Sequence, residues 1–323
     1  MSARALGPAC SWVAAFAGMT SGENRSNRPR MTDPIPPKRV FHPAREEAEA
    51  AAQATQSAQT IDPAYRLAFQ DMDFLLREDL RPVRFQLELL KPELLLDEAG
   101  IASTFVFYGS ARIPEPEKAD ALIAAAATDS QRRIAERLKA KSIYYEESRQ
   151  LARLASRVDP DADGRRHFVV CSGGGPSIME AANRGAEDEG KESIGLNIVL
   201  PHEQLPNPYV TPGLSFQFHY FALRKMHFLL RARAVAVFPG GYGTFDEAFE
   251  LLTLIQTGKV KPMPILFFGR EFWERVIDFD ALAEEGVVSP DDLKLFTYCE
   301  SAEDAWECVC NHYAEKGDDP LCK

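Results

Sequence analysis

From residue 100 onward the chain alternates short runs of β-branched and aromatic residues with stretches of helical periodicity, and this alternation narrows the fold more than any other feature. The runs are Thr104–Tyr108, His167–Cys171, Ser193–Val199, Ala234–Phe238 and Pro264–Phe268. They are apolar nearly throughout, as strands covered on both faces must be. Helical patterns occupy 118–157 with a break, then 176–189, 217–232, 244–257, 270–285 and 301–316. A strand–helix repeat of this kind predicts an α/β fold with a doubly wound parallel sheet. Such sheets bind ligands beyond the carboxyl ends of their strands, so the residues after each run are where chemistry is expected.

Three of those places are glycine turns. The first run ends in Gly109-Ser110-Ala111-Arg112, the second in Ser172-Gly173-Gly174-Gly175-Pro176-Ser177, and the fourth in Pro239-Gly240-Gly241-Tyr242-Gly243-Thr244. Glycine admits close backbone approach, and a helix that starts at once offers unpaired N–H groups and a positive dipole end, which suits phosphate. The better known nucleotide fingerprints are absent. No turn ends in Gly-Lys-Ser/Thr, and Asp246 stands where a third dinucleotide glycine would fall. Ser177-x-x-Glu180 and Thr244-x-x-Glu247 also fit the capping box, in which hydroxyl and carboxylate serve a helix start. Two such turns, each after a strand, each opening a helix and each bringing a carboxylate to the same edge, favour a binding site over capping alone.

The stretch Gln217–Ala232, plotted at about 100° per residue, gathers Phe218, Phe221, Ala222, Leu223, Met226, Phe228, Leu229 and Leu230 into one apolar arc. Lys225 falls inside that arc and Arg224 just past its edge. A lysine there needs an anion or a route to solvent, because an unpaired buried charge is costly. It reads either as a snorkelling side chain or as half of a cationic pair aimed at an anionic substrate or at the site carboxylates. His202, His219 and His227 share no metal-ligand spacing with a carboxylate pair, and no metal or cofactor site is predicted.

The 37 Lys and Arg against 48 Asp and Glu leave a net charge of -11, which argues against a nucleic-acid partner. An anionic ligand must therefore be held locally. Six irregularly spaced cysteines read as reduced thiols in a cytoplasmic setting. No apolar run reaches the roughly 18 residues of a membrane span, so no membrane partner is expected. Ahead of the sheet, residues 61–100 carry helical periodicity and form an N-terminal helical extension, with Pro82 and Pro92 dividing it into short helices. Residues 1–60 read as a flexible leader, rich in Pro and then in Ala, Gln and Glu. Within it Ala9–Met19 reads either as the apolar region of a secretory signal or as translated intergenic sequence ahead of a start at Met31. The expected division is thus 1–60, 61–100 and 101–323.

Pro239-Gly240-Gly241-Tyr242-Gly243-Thr244-Phe245-Asp246-Glu247, preceded by Arg224-Lys225 and by the segment from Gly173 to Glu180, resembles the LONELY GUY (LOG) family, phosphoribohydrolases long mislabelled as lysine decarboxylases. The resemblance runs from about Thr104 to Ala283 and implies a Rossmann-like sheet. It also implies hydrolysis of the N-glycosidic bond of a nucleoside 5′-monophosphate, such as AMP or a cytokinin riboside 5′-monophosphate, to free base and ribose 5-phosphate. The family's catalytic arginine and glutamate fall on Arg224 and Glu247. Substrate binding falls on Glu203, Lys225, the loop from Gly241 through Tyr242, Gly243 and Thr244 to Glu247, and Thr253, with Gly109 and Ser110 matching the first turn. The glycine-turn reading adds Gly173, Gly174, Gly175, Pro176, Ser177, Glu180 and Gly240. The family implies a homodimer or higher homo-oligomer and no cofactor.

Short plant-type members differ over Gly173–Gly185 and lack the helical extension and the 118–157 segment, so the chain is similar to the larger bacterial branch and its preferred base is left open. Glycosidic cleavage passes through an oxocarbenium-like state that a carboxylate stabilises. Arginine is a poor proton donor, which leaves Arg224 positioning and charge stabilisation. A decarboxylase would need a pyridoxal-binding constellation that the sequence does not offer. The alternative is a non-catalytic carrier of a nucleotide or molybdenum cofactor, which has no need of the glutamate.

Overall fold

The computed structural model describes residues 41–201 and 205–315. The expectations for residues 1–40 lie outside the described residues. The chain divides into two compact units at Glu49 and Ala50. The described part of the first consists of the start of helix α1 (Ala44–Ala52), with His42 beside Glu46. Where composition suggests a flexible leader to residue 60, α1 and α2 (Ala58–Ile61) are helical. Alanine and glutamate favour helix, and Ser57 and Thr60 close a capping box on α2.

The second unit is built on one seven-stranded sheet: β1 (Thr104–Tyr108), β2 (Val169–Ser172), β3 (Ile194–Ile198), β4 (Ser215–Phe218), β5 (Ala232–Val237), β6 (Ile265–Phe268) and β7 (Thr297–Cys299). Its order is β4-β3-β2-β1-β5-β6-β7, and every pair is parallel. The fold is therefore α/β and doubly wound, as the alternation predicts. Helices α3 (Met72–Leu75) and α4 (Arg81–Glu98) precede β1. Between β1 and β2 lie α5 (Pro116–Ala124), α6 (Asp129–Lys139) and α7 (Ile143–Ser156), so the broken 118–157 pattern is three helices. Then come α8 (Ile178–Asp188), α9 (Phe221–Leu230), α10 (Tyr242–Gln256), α11 (Arg270–Val276), α12 (Phe279–Glu284) and α13 (Ala302–Glu315).

Alternation along β1 sends its side chains to two cores. Phe105 and Phe107 pack with Leu151, Ile178, Phe238 and Val309 on the face covered by α7, α8 and α13. Val106 and Tyr108 pack with Phe228, Leu251 and Trp273 on the face covered by α9, α10 and α11.

The extension departs from its reading. Pro82 sits in the first turn of α4, where its missing N–H costs nothing, and Pro92 lies inside a helix that continues to Glu98. A proline removes the partner of the carbonyl four residues back, here that of Glu88, and the His227 ring donates Nε2–H to Glu88 O at 3.2 Å instead. The Glu88 carboxylate in turn accepts the backbone N–H groups of His219 and Tyr220 at 2.8 and 3.2 Å, at the start of α9. So α4, which carries no chemistry of its own, holds the helix that bears Arg224.

Among the described cysteines, Cys171, Cys299 and Cys308 are free thiols. Cys310 is disulfide-bonded, which corrects the reading of uniformly reduced thiols at that position. No helix among the described residues is long and apolar enough to cross a membrane.

Candidate active site

The strand order reverses between β1 and β5, and the crevice beyond their carboxyl ends is the expected ligand position in an open parallel sheet. An open cavity of about 950 Å³ lies there. Its floor is the three glycine turns: Gly109, Ser110, Ala111 and Arg112 after β1, Gly173 and Gly175 after β2, and Gly241–Thr244 after β5. The turns are tied together, since Ser110 N–H donates to Pro239 O at 3.1 Å and Ile178 N–H to Ser110 O at 3.4 Å.

The helices that open there do so without capping boxes. Ser177 has φ 68° and ψ -126°, and its hydroxyl donates to Ile113 O at 2.5 Å rather than to the helix start. A non-glycine residue with such a backbone stores strain of order 1–3 kcal/mol. The helix α10 begins at Tyr242 with Gly241 as its cap, so Thr244 is its third residue rather than its cap and Glu247 is left for other work. This overturns the capping explanation at both turns.

Arg224 and Glu247 meet within the cavity. Arg224 is buried; its Nε–H donates to Leu196 O at 2.6 Å and Nη1 approaches Glu247 Oε1 at 3.3 Å. Its guanidinium carbon lies 5.0 Å from the centre of the Phe228 ring. A methyl group on Gly173 would come within 2.5 Å of Arg224 Nη2, so that glycine makes room for the arginine. Only 14% of the Glu247 side chain is exposed. Burial pushes its pKa up to about 7, against the opposing pull of Arg224. At neutral pH the group is thus divided between acid and base, the state that suits proton transfer.

The remaining expected residues separate into those at the cavity and those behind it. Gly109, Ser110, Gly173, Gly175, Gly241, Tyr242, Gly243 and Thr244 line it with Arg224 and Glu247. Gly174, Pro176, Ser177 and Gly240 shape the turns from behind: Gly174 has φ 71°, and a side chain on Gly240 would strike Thr244. Glu180 is turned away and accepts the Tyr145 hydroxyl at 3.2 Å. Lys225 leaves the cavity to pair with Asp246 at 3.2 Å and Glu250 at 3.1 Å, joining α9 to α10. Thr253 lies beside a separate small groove with Phe249 and Phe296, its hydroxyl on Phe249 O. Glu203 lies outside the described residues.

The apolar arc is only a partial guide to burial. Helix α9 buries Arg224, His227 and Phe228, while Phe221 and Met226 stay exposed.

Sequence reasoning missed the opposite wall. Ser215, Phe216 and Gln217 of β4, Asn197 and Ile198 of β3, Leu200, Leu205 and Phe221 form a more apolar side of the cavity. The alternating burial of Ser215–Phe218 was the available signal. Also missed is a buried amide network: Asn183 Oδ1 accepts Ser172 Oγ–H at 2.7 Å and Asn207 Nδ2–H at 2.9 Å, while Asn207 Nδ2 also donates to Gly175 O at 3.0 Å. Such a satisfied network fixes the second glycine turn.

Among the described residues no three His, Cys, Asp or Glu side chains converge as metal ligands. Residues 179–309 match a family model described as "Possible lysine decarboxylase". A cytokinin riboside 5′-monophosphate phosphoribohydrolase of Arabidopsis thaliana is 26% identical over 187 residues, 57% of this chain and 82% of the relative. A second from the same plant is 26% identical over 139 residues, 42% of this chain and 63% of the relative. Among solved structures, a molybdenum cofactor carrier protein from Chlamydomonas reinhardtii aligns over 66% of this chain and 99% of its own, with a TM-score of 0.37 and 14% identity. With its Arg224–Glu247 pair set among the three glycine turns, and with these sequence relatives, the chain is similar to the LOG family.

Proposed function

We propose that this protein hydrolyses the N-glycosidic bond of a nucleoside 5′-monophosphate, of which AMP and a cytokinin riboside 5′-monophosphate are the leading candidates, to free base and ribose 5-phosphate. The observation that carries the reading is the buried Arg224–Glu247 pair, with Glu247 poised near neutral pH, at the junction of three glycine turns. The turns and the start of α10 supply N–H donors for the 5′-phosphate. The apolar wall with Phe216 and Phe221 offers a face for the base. Glu247 faces the ribose. Its carboxylate stabilises positive charge building at C1′ and takes a proton from water; the water oxygen bonds to C1′, the C1′–N pair departs with the base, and the base gains a proton. Arg224, held at Leu196 O and Glu247, supplies fixed positive charge.

A decarboxylase reading finds no support, since no lysine lines the cavity among the described residues. Two copies would pair through the exposed apolar side chains of α4 and α9, Leu87, Leu90, Leu94, Phe221, Met226 and Leu230, in the cytoplasm. The test is chromatography of products from AMP, GMP, CMP, UMP, IMP and N6-isopentenyl AMP, beside a Glu247→Ala control. Base released by the protein and not by the control is the expected result. Binding of monophosphate with no base released from any of them would instead favour a carrier.

A further inference from the structure

Arg112 ends the first glycine turn and was absorbed by none of the roles above. It and Arg224 are the only cationic side chains among the described residues that line the cavity, and Glu247 is the only acidic one. Arg224 is committed to Leu196 O and Glu247. Arg112 is exposed, and among the described residues no carboxylate lies within ion-pair distance of it. Elsewhere many arginines are matched: Arg149 with Asp188, Arg157 with Glu189, Arg184 with Glu115, Arg231 with Glu93. A free guanidinium facing a cavity, in a chain with 11 more acidic than basic residues, is uncompensated charge at the one place where an anion is to be held.

Its backbone is tied down while its side chain is exposed. Arg112 N–H donates to Ser110 Oγ at 3.0 Å, and Ser110 is bonded through its own backbone to Pro239 and Ile178 at the other two turns. The side chain therefore extends from an anchor shared by all three turns. We infer that Arg112 is a specificity-determining residue that closes on the 5′-phosphate of the substrate and distinguishes a nucleotide from the corresponding nucleoside. This rests on the phosphoribohydrolase reading and names the group that selects for its phosphate. A phosphate monoester carries close to two negative charges at neutral pH. The described lining offers two cations and one carboxylate, and without Arg112 it would be neutral apart from backbone dipoles. A guanidinium also reaches two phosphate oxygens at once, which the amides of a turn cannot adjust to do.

The experiment compares Arg112→Ala and Arg112→Lys with the unaltered protein in two measurements: steady-state hydrolysis of AMP and of adenosine, and calorimetric titration with ribose 5-phosphate. A charge-assisted contact of this kind corresponds to a change of about 10- to 100-fold. The expected result for Arg112→Ala is a KM for AMP raised by about that factor, kcat within about threefold, adenosine hydrolysis unchanged and ribose 5-phosphate affinity reduced in parallel. Arg112→Lys recovers part of the loss. The rise of KM with added salt should be flatter in Arg112→Ala, because one screened charge is gone. Unchanged KM and unchanged ribose 5-phosphate affinity in Arg112→Ala would overturn the inference, and so would an equal loss for AMP and adenosine, which marks a structural role. If the unaltered protein releases no base yet binds ribose 5-phosphate through Arg112, the hydrolase reading fails and only the phosphate contact of Arg112 stands.

Discussion

Replacing Glu247 by Gln separates the chemistry of this residue from its effect on stability, and the two should move in opposite directions. Burial raises the Glu247 carboxyl from the ordinary 4.5 to about 7, and at about 1.4 kcal/mol per pH unit the displacement is worth about 3 kcal/mol. The sign is the reverse of the usual carboxylate. Between about pH 4.5 and 7 the unfolded chain has released this proton and the folded chain still holds it, so stability falls as pH rises through that window and levels off above it. Arg224 and Lys225 limit the cost, and Asp246 and Glu250 add to it. Glutamine cannot ionise and never incurs it. Urea unfolding at pH 5, 6, 7 and 8 should show Glu247→Gln gaining on the unaltered protein by about 1–3 kcal/mol across the series. Over the same range the unaltered protein's kcat/KM should climb with pH up to about 7 and then flatten, as a base with that pKa requires, and the glutamine variant should lose about 100-fold or more. A stability gap independent of pH, together with a flat rate profile, would refute the reasoning, because both follow from one proton on one buried carboxyl.

The glycine turns allow a matched pair of tests. A methyl group on Gly241 meets nothing within 4 Å, so Gly241→Ala should unfold within about 0.5 kcal/mol of the unaltered protein yet bind the monophosphate about tenfold more weakly, since the methyl occupies ligand space; thermal midpoint and KM check the two halves. Gly173→Ala puts a methyl within 2.5 Å of Arg224 Nη2 and 2.8 Å of Met179 Sδ, and displacing the arginine by about 1 Å should lower kcat by about 100-fold, read from single-turnover base release. Glu88→Ala leaves the amides of His219 and Tyr220, which lead into α9, without their carboxylate and should cost about 1–2 kcal/mol in urea unfolding, with a fall in kcat that Glu88→Gln partly restores.

What the sequence conveyed well was whatever a segment decides locally. Thr104–Tyr108 is buried at every position and forms the strand its composition requires. The glycine turns fall at the strand ends because each strand must stop before its helix can start. What it conveyed poorly depends on distant partners. Ser215–Phe218 is short and only two residues separate it from an apolar helix, so period-2 and period-3.6 patterns overlap there. Pro92 would end most helices, but His227, more than a hundred residues later, takes the carbonyl it frees. The apolar arc over 217–232 is buried only in part, at Phe218 and Phe228, because Arg224 and His227 find acceptors on Leu196, Glu247 and Glu88, and polar groups with such partners are buried ahead of Phe221.

Those departures from local rules are not scattered. Ser177 holds a backbone that disfavours it, Glu247 is buried beyond the first turn of α10 and caps nothing, and Gly243 occupies a helical first turn where alanine would fit without contact. Each costs stability on its own terms: strain at Ser177, desolvation at Glu247, backbone entropy at Gly243. Structural requirement explains Gly173, Gly174 and Gly240, whose missing side chains make room for Arg224, Asn197 and Thr244. It does not explain Gly241 and Gly243, which face open space with ordinary φ. Under the proposed function, the reason for those two glycines lies in what enters the cavity: a group that must come closer to the backbone than a methyl allows and that seeks N–H donors. A phosphate fits that description, and a ligand carrying only aliphatic or aromatic surface does not.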